Sequence, residues 1–532
     1  MLLATKGATK DGSVIVAHSD DNELGDQRII YVPAANYPDN AKRAVYPYIE
    51  DYPRYVGSDR GPAYNIPGFK PTKPLGYIDQ VKHTYAYIEG SYATINDHQL
   101  AFAESTTVSK VSLQPAPGKR ILDISALSRI AAERCDTAVC AVKTMGSLAE
   151  KYGYYGDGEA LFIGDKNEGW LFEISGTPSG TSALWVAEKI PDGTVAAFAN
   201  EYRIRTVNQN DPNMLYSSNL FEVTQKAGWW NPKEGPLDWL KTVSPGEYYH
   251  PYYSLRRVWR FYSLINPKNK LNPWVKDGYS DAYPFSMKPA KKMTVQDVIA
   301  IFRDHYEGTP FDLTKGVASG PFNSPTRYLG KSDLYFPLPK NMKLPGAWER
   351  PIAMYYCGFM TIAQLRSHLP DSIGGVVWIG LDQPDTTVFV PFYSGINTMP
   401  DSYATINSNQ FDRSKAWWAF NFVSNWIELK YSYMIKEVNT LQNQLENTEF
   451  KQQPVFEKKA LMMSKKYPNL LSKYLTEFCT DNANKITQRW WQFADYLVVK
   501  YNKGFVNKKY VGYPSAWLET TDYSRGPTTY QK

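Results

Sequence analysis

The first residues of the chain already have the pattern of a β-strand. Met1-Leu2-Leu3-Ala4-Thr5-Lys6 precedes the turn-forming residues Lys10-Asp11-Gly12-Ser13 and a second apolar stretch, Val14-Ile15-Val16-Ala17. Apolar runs on both sides of a turn predict a β-hairpin. No basic segment followed by an apolar segment of signal-peptide length is present. A hairpin at the first residue is unusual for a complete translation product, so we expect either that processing creates this terminus or that residues precede it.

Composition narrows the class of protein. The chain has 532 residues, of which 43% are hydrophobic and 21% charged, as in ordinary soluble globular proteins. A net charge of +6 over this length gives little reason to expect a nucleic-acid partner. No apolar run approaches the roughly 18 residues of a membrane span. The four cysteines are too few for a disulfide scaffold and lack the spacing of a zinc site.

The hydrophobic pattern predicts an α+β fold. Pairs of strands around polar turns are predicted within residues 84–104, 160–174, 185–198 and 376–390, and helices over 123–134, 137–152 and 295–306. Asp136 is a candidate N-cap, Gly153 a candidate helix stop, and Thr294 with Asp297 a candidate capping box. Hairpins imply antiparallel strands, so we expect helical layers that cover antiparallel sheets.

Two stretches differ from this pattern. Residues 31–80 are rich in Pro, Tyr and Gly, and we interpret them as a long ordered loop region that forms the wall of a site. From about residue 415 the period is helical, with helices predicted over 415–446, 455–475 and 482–500 and an irregular tail over 503–532. We therefore expect one domain over 1–430 and a helical C-terminal extension, packed on it, over 431–532.

Searches for well-known catalytic motifs fail. The sequence has no Gly-x-Ser-x-Gly, His-Glu-x-x-His, Walker A or Gly-x-Gly-x-x-Gly motif. Its six histidines lack metal-ligand spacing. Cys135 and Cys140 flank a helix start and are expected to be structural, Cys357 has no catalytic signature near it, and Cys479 is expected in the core.

Longer segments carry more information. They include Gly7-Ala8-Thr9-Lys10-Asp11-Gly12-Ser13 with Asp20-Asp21, Asn96-Asp97-His98-Gln99-Leu100-Ala101, Glu104-Ser105-Thr106-Thr107, Gly169-Trp170-Leu171-Phe172-Glu173, Phe198-Ala199-Asn200, Tyr253-Ser254-Leu255-Arg256-Arg257, His305-Tyr306-Glu307-Gly308-Thr309, Ile373-Gly374-Gly375-Val376-Val377-Trp378 and Ala416-Trp417-Trp418-Ala419-Phe420-Asn421. In this order, over roughly residues 1–450, they resemble the C69 family of cysteine dipeptidases.

The resemblance implies an N-terminal nucleophile (Ntn) hydrolase fold, a four-layer αββα sandwich of antiparallel sheets. In that family the nucleophile is a cysteine that becomes the first residue after processing. Its own α-amine, with a pKa of about 7.7–8.0, serves as the base that activates the thiol. The thiolate attacks a peptide carbonyl, and water then hydrolyses the acyl-enzyme. The resemblance therefore implies that no metal and no cofactor are needed.

The chain departs from the family at this position. Counted back from Asp11-Gly12-Ser13, the cysteine would stand two residues before Met1. We expect that it has been lost from the chain as given; a natural pseudoenzyme or a true initiator Met1 are the alternatives. Methionine cannot replace it, because a thioether has no ionisable proton.

Other roles follow from the resemblance position by position. Asp21 matches an acidic position near the nucleophile's amine, Thr106 an oxyanion-hole position, and Asn200 a strand-end Asn that orients substrate or oxyanion. Arg257 matches a helix-start Arg near the nucleophile. His18 stands where several relatives place an Arg, and Arg256 is expected as the solvent-facing neighbour of Arg257; both are candidate substrate-binding residues.

The sequence thus predicts a cysteine-type dipeptidase whose partner is a short peptide. A non-peptide amidase or acylase of the same fold and an inactive binding or assembly protein remain as alternatives. Because the family's cysteine is commonly exposed by signal cleavage, we expect a secreted, periplasmic or lysosome-like location. The many Tyr and Trp residues would suit a homo-oligomer interface.

Overall fold

The chain begins with the predicted hairpin. The computed structural model describes residues 1–22, 24–246, 252–328 and 349–521. Strand β1 (Leu2–Ala4) pairs antiparallel with β2 (Val14–Asp20), with Leu2 opposite Ala17. Asp11 holds the turn, because its carboxylate accepts hydrogen bonds from the backbone N–H and the hydroxyl of Ser13 at 3.2 and 2.7 Å. Such side-chain to backbone bonding is typical of Asp in turns.

The other strands, in chain order, are β3 (Ile30–Val32), β4 (Ala35–Asn36), β5 (Lys42–Val45), β6 (Gly76–Asp79), β7 (His83–Thr84), β8 (Tyr87–Glu89), β9 (Ala93–Asn96), β10 (Ala101–Thr107), β11 (Gly158–Gly164), β12 (Gly169–Gly176), β13 (Ala183–Lys189), β14 (Val195–Ala197), β15 (Met214–Tyr216), β16 (Ser286–Met287), β17 (Phe359–Leu365), β18 (Gly375–Leu381), β19 (Val390–Tyr393), β20 (Phe505–Val506) and β21 (Lys509–Tyr510).

The helices are α1 (Ile124–Arg134), α2 (Ala138–Tyr152), α3 (Leu220–Lys226), α4 (Trp239–Val243), α5 (Leu255–Ile265), α6 (Val295–Phe302), α7 (Asp371–Gly374), α8 (Asp401–Ala404), α9 (Ala416–Ile427), α10 (Tyr431–Lys466), α11 (Pro468–Lys500) and α12 (Ser515–Thr520).

Two antiparallel sheets form the centre of the molecule. The first has seven strands in the order β16-β14-β1-β2-β17-β18-β19, and the second has eight in the order β15-β13-β12-β11-β10-β9-β8-β3. Helices α1 and α2 pack on the outer face of the second sheet, and α5, α6 and α9–α11 pack on the first. This arrangement of helix, sheet, sheet and helix confirms the predicted α+β class, its antiparallel sandwich and its helical C-terminal region.

The two sheets approach closely at β1. A Cβ atom on Gly169 would lie 2.5 Å from Cδ2 of Leu3, and one on Gly164 would lie 2.5 Å from Cγ2 of Val16. A side chain at either position would therefore displace the side chain of Leu3 or Val16 from its place between the sheets. It follows that Leu3 faces the second sheet, and that residues two positions away along β1 point in the same direction.

One predicted strand pair is wrong. The strands within residues 185–198 do not pair with each other around Pro191-Asp192-Gly193. Strand β13 pairs with β12 and β15 in the second sheet, whereas β14 pairs with β1 and β16 in the first. The turn instead carries the chain from one sheet to the other, and Asp192 accepts a hydrogen bond of 2.7 Å from the backbone N–H of Gly7.

Helices α1 and α2 lie where the sequence predicts them, and α6 begins at the predicted residue but ends at Phe302, four residues before the predicted end. The capping box of Thr294 and Asp297 and the stop at Gly153, with φ +73°, are confirmed. Asp136 is not the N-cap of α2: Thr137 occupies that position, and Asp165 accepts the hydrogen bond of the Ala138 N–H at 2.8 Å. A carboxylate from a distant turn therefore replaces the local cap.

The C-terminal helices differ from the predicted ones. The helix predicted over 415–446 is interrupted after Ile427, and α10 then continues without a break through Pro454 to Lys466. Phe450 of α10 stacks on the buried Trp378 with ring centroids 4.3 Å apart. Residues 503–521 contain β20, β21 and α12 rather than an irregular tail, while 522–532 lie outside the described residues. The domain boundary at residue 430 stays a prediction.

Residues 31–80 contain short strands within long loops, and buried ion pairs fix this region to the second sheet. Glu89 of β8 accepts hydrogen bonds from Arg129 of α1 at 2.5 Å and from Arg60 and Tyr64 of the loop. Burial alone would raise the pKa of Glu89, but the charges of Arg129 and Arg60 outweigh it and lower this pKa to about 2.

Replacing Glu89 by Gln should lower the free energy of unfolding by about 3–5 kcal/mol at neutral pH, because buried guanidinium groups lose their counter-charge. Urea unfolding followed by circular dichroism measures the change. Since the folded pKa is depressed, this stabilisation is complete above about pH 4.5 and is lost as the pH falls through about 2. Glu222→Gln, in an exposed pair with Lys226, is the matched control. Equal stability of the two variants would contradict the prediction.

Candidate active site

A polar cavity lies at the start of β1, where the ends of the two sheets meet. Its volume is about 230 Å³. Met1 contributes to its lining, together with the end of β2, the end of β10 and the residues that follow β14. Tyr48 and Glu50 of the loop region also line it, so the prediction that residues 31–80 wall a site agrees with this cavity.

Four predicted site residues meet in this cavity. Asp21 follows β2, Thr106 lies near the end of β10, Asn200 follows β14, and Arg257 lies in the first turn of α5. They are separated by as much as 236 positions in the sequence and are brought together by the sheet topology. Their catalytic roles stay predictions.

A chain of hydrogen bonds joins three of these residues. Arg257 donates from Nη2 to Oδ1 of Asn200 at 2.7 Å. Nδ2 of Asn200 in turn donates to the hydroxyl of Ser105 at 3.1 Å and to the carbonyl of Thr106 at 2.9 Å. The amide of Asn200 is thereby fixed at both ends. Before it can donate to an oxyanion, it must give up one of these bonds.

Asp21 belongs to a second pair. Its Oδ2 accepts a hydrogen bond of 2.6 Å from Nη2 of Arg350, whose guanidinium also donates to the hydroxyl of Tyr253. Arg350 is a cavity residue that sequence reasoning missed, because it stands in no recognisable motif. Burial, with the positive charge of Arg350, lowers the pKa of Arg257. Two guanidinium groups therefore lie near each other, with Asp21 as the carboxylate between their charges.

The remaining two predicted residues do not line the cavity. His18 is buried behind it, with Nε2 3.7 Å from the Glu104 carboxylate. Arg256 was expected to face solvent and is instead 1% exposed. It points away from Arg257 and donates to the carbonyl of Pro273 at 2.8 Å, with its guanidinium 3.6 Å from the ring centre of Phe311. Substrate binding by His18 and Arg256 stays a prediction.

Sequence reasoning also missed the acidic residues of the cavity. Asp20 and Glu104 both line it, although each stood within a segment already singled out. Burial raises the pKa of Asp20 to about 7; the charge of His18 opposes this shift, and Glu104 adds to it. The available signal was that Asp20 and Glu104 stand close to the predicted site residues Asp21 and Thr106 in the sequence. This proximity could not show whether their carboxylates face the cavity.

The α-amine of Met1 reports the electrostatics of the site. It donates to the carbonyl of Phe198 at 2.9 Å, and burial together with the charge of Arg257 lowers its pKa to about 5. The negative charges of Asp21 and Glu104 oppose this shift. Burial and the charge of Arg257 thus disfavour a positive charge at this end of β1.

The four cysteines of the chain lie outside the cavity lining. Cys135 and Cys140 form a disulfide between the end of α1 and the first turn of α2. Cys357 and Cys479 are buried free thiols. Burial, with the charges of Asp21 and Asp20, raises the pKa of the Cys357 thiol well above its usual range. A thiol held in its neutral form is a poor nucleophile.

Within the described ranges, no group of three or more His, Cys, Asp or Glu side chains is arranged to hold a metal ion. In the same part of the chain, no helix combines the length and apolar character needed to cross a membrane.

Comparison with known proteins identifies a matching protein family. The profile described as peptidase family C69 matches residues 1–444. The chain is 28% identical to a probable dipeptidase of Latilactobacillus sakei over 291 residues, about half the length of that relative at 54% of each chain. It is 23% identical to probable dipeptidase A of Streptococcus pyogenes serotype M1 over 438 residues, 78% of this chain and 79% of the relative. A solved penicillin V acylase from Agrobacterium tumefaciens is 11% identical over 74% of this chain and 86% of its own, and its TM-score of 0.30 is too low to bear on fold or function.

The state of the cysteines can be checked by thiol titration. In denaturant without reductant, the 532-residue chain should show two reactive thiols, from Cys357 and Cys479, and four after reduction. In the folded protein both should react slowly, because they are buried and the pKa of Cys357 is raised. A Cys479→Ala variant should lose one thiol in denaturant. Four thiols without reductant, or rapid reaction of the folded protein, would contradict these assignments.

Proposed function

Because the chain belongs to peptidase family C69, we propose that it is a peptide hydrolase that cleaves dipeptides through an N-terminal cysteine. Its curated relatives carry the names probable dipeptidase and probable dipeptidase A. The main support for the proposal is that one cavity at the start of β1 is lined by Asp21, Thr106, Asn200 and Arg257.

The strand register supports the position of the nucleophile. Leu2 lies opposite Ala17 of β2 and Ala197 of β14, and Met1 exchanges backbone hydrogen bonds with Phe198. If β1 continues in this register, a residue two positions ahead of Met1 would lie between Asp20 and Asn200. Since side chains alternate along a strand, it would face the second sheet, as Leu3 does, and thus the side on which β10 carries Thr106.

The chemistry uses groups of this cavity. The α-amine of the cysteine takes the thiol proton, and the sulfur forms a bond to the peptide carbonyl carbon. Arg257 and Thr106, with Asn200 once one of its bonds is released, are the donors proposed for the developing oxyanion. The C–N bond then breaks, the leaving amine takes a proton, and a thioester remains. Water attacks the thioester to release the acid and restore the thiol.

Asp21 has a separate role in this proposal. Its Oδ1 is buried and has no hydrogen-bond partner among the described residues, while Oδ2 is held by Arg350. A carboxylate fixed on one side and free on the other is suited to orienting the α-amine of the nucleophile.

We also propose export from the cytosol, since the Cys135–Cys140 disulfide is of the kind that persists in oxidising compartments.

The mature terminus tests the proposal. Intact mass and N-terminal sequencing of protein from its native source should find a cysteine two positions ahead of Met1 as the first residue; this species is called the Cys-terminal form below. It should hydrolyse dipeptides, and replacement of that cysteine by Ala should abolish turnover. A native terminus without cysteine would overturn the mechanism. Hydrolysis of acyl amides but not of dipeptides would identify a non-peptide amidase instead.

Asn200→Ala in the Cys-terminal form should lower kcat for a dipeptide by about 10²–10³, as the loss of one oxyanion donor does. Steady-state kinetics measures this, and thermal unfolding establishes that the variant is folded. The matched control is Asn210→Ala, at an exposed position, for which kcat should be unchanged. Unchanged kinetics in Asn200→Ala would remove this residue from the site.

A further inference from the structure

The cavity has an acidic side that the proposed bond-breaking chemistry does not use. Asp20 and Glu104 line it together with Tyr48 and Tyr92, whose hydroxyls lie 3.4 Å apart. Glu104 is 5% exposed. It lies 3.5 Å from the Thr106 hydroxyl and 3.7 Å from His18, and the carboxyl of the buried Glu159 is its hydrogen-bonding neighbour. Carboxyl groups buried together in this way are costly as charges unless a donor binds to them.

Unsatisfied atoms around the cavity point to a ligand with two kinds of polar group. Oδ2 of Asp20, Oδ1 of Asp21 and Nε of Arg350 all belong to cavity residues, are buried, and have no hydrogen-bond partner among the described residues. Two of these atoms are acceptors and one is a donor. A ligand that donates on the Asp20 side and accepts near Arg350 satisfies both kinds.

The reaction fixes where such a donor must lie. In a dipeptide with a free N-terminus, the attacked carbonyl belongs to the first residue, so the α-ammonium is one carbon away from it. The ammonium therefore has to lie next to the nucleophile. In the register of β1, Asp20 is directly opposite the proposed cysteine on the β2 side, and side chains at directly opposed positions lie on the same face with Cβ atoms about 4.5–5.5 Å apart.

We propose that Asp20, assisted by Glu104, binds the α-ammonium of the substrate, so that the enzyme selects peptides with a free N-terminus. This inference rests on the proposed function. An ammonium group offers three donors to acceptors that otherwise lack them, and the faces of Tyr48 and Tyr92 are attractive to a cation. Arg257 and Arg350, which also line the cavity, repel the same group and so disfavour its binding beside them.

The test compares two substrates that differ by one group. Alanyl-alanine carries the α-ammonium, and propionyl-alanine has the same shape without it. In the Cys-terminal form, kcat/KM should favour alanyl-alanine by about 10-fold or more, the worth of a hydrogen bond to a charged group. Asp20→Asn should remove that preference mainly by raising KM for alanyl-alanine, while kcat/KM for propionyl-alanine changes less than about threefold.

Further variants distinguish a role of Asp20 in substrate recognition from a role in folding. Asp20→Glu, which keeps the charge, should restore part of the preference for alanyl-alanine. If Asp20→Asn fails to fold, Glu104→Gln is the substitute variant, and it should weaken the same preference. Asp39→Asn, on the surface beside Lys82, should leave it unchanged. An equal loss for both substrates in Asp20→Asn would mean that Asp20 serves the enzyme's own amine or the fold, and would overturn the proposal. Equal cleavage of both substrates by the unmodified enzyme would also overturn it.

Binding distinguishes a failure of this inference from a failure of the proposed function. Calorimetry on the Cys-terminal form with its cysteine replaced by Ala needs no turnover. Tighter binding of alanyl-alanine than of propionyl-alanine, lost in Asp20→Asn, supports the ammonium site even if no dipeptide is hydrolysed. Equal or absent binding of the two overturns it, whatever the kinetics show.

Discussion

The close contact between the two sheets at β1 is the constraint on which the rest of the structure depends. Leu3 and Val16 pack closely on Gly169 and Gly164, where a larger residue would displace them. Because β1 is paired on both sides by β2 and β14, its position is fixed in three directions. The ends of β2, β10 and β14 are thereby held around its first residue, and the cavity is the space that they leave.

Charged groups are arranged differently in the cavity and in the loops around it. Arg257 and Arg350 line the cavity together with Asp20, Asp21 and Glu104. In the loop region, by contrast, Arg60 and Arg129 both donate to the Glu89 carboxylate, which also accepts a hydrogen bond from Tyr64. The loop network therefore centres on one fully buried carboxylate, whereas the cavity is lined by several charged groups of both signs.

Local patterns predicted much of the fold, because hairpins and capped helices are encoded by neighbouring residues. The β1–β2 hairpin and the capping box at Thr294 are examples. The assignment of β14 to the first sheet was not predictable, because a short buried strand has the same apolar sequence pattern whichever strand it pairs with. Nor was the course of α10 through Pro454, where packing on the sheet outweighs a local helix breaker.

For the site, resemblance in motif order brought together Asp21, Thr106, Asn200 and Arg257, which no local pattern could have joined. It assigned Arg257 to the site but left the surroundings of Arg256 wrong, because the burial of Arg256 against Phe311 depends on tertiary packing that no motif encodes. Arg350 was missed for a similar reason: it follows a long stretch of chain without a recognisable pattern, and tertiary structure alone places it beside Asp21.

The anchoring of the loop wall at Glu89 bears on how a ligand is received. Since Arg60 and Tyr64 are held by hydrogen bonds to Glu89 within the protein itself, a small molecule entering the cavity does not have to immobilise this part of the loop as it binds. The entropy cost of ordering that segment is met during folding, once, rather than in every binding event. Discrimination between ligands then depends on fixed electrostatic complementarity. The free energy lost by a substrate without the matching charge is not recovered through a rearrangement of the loop.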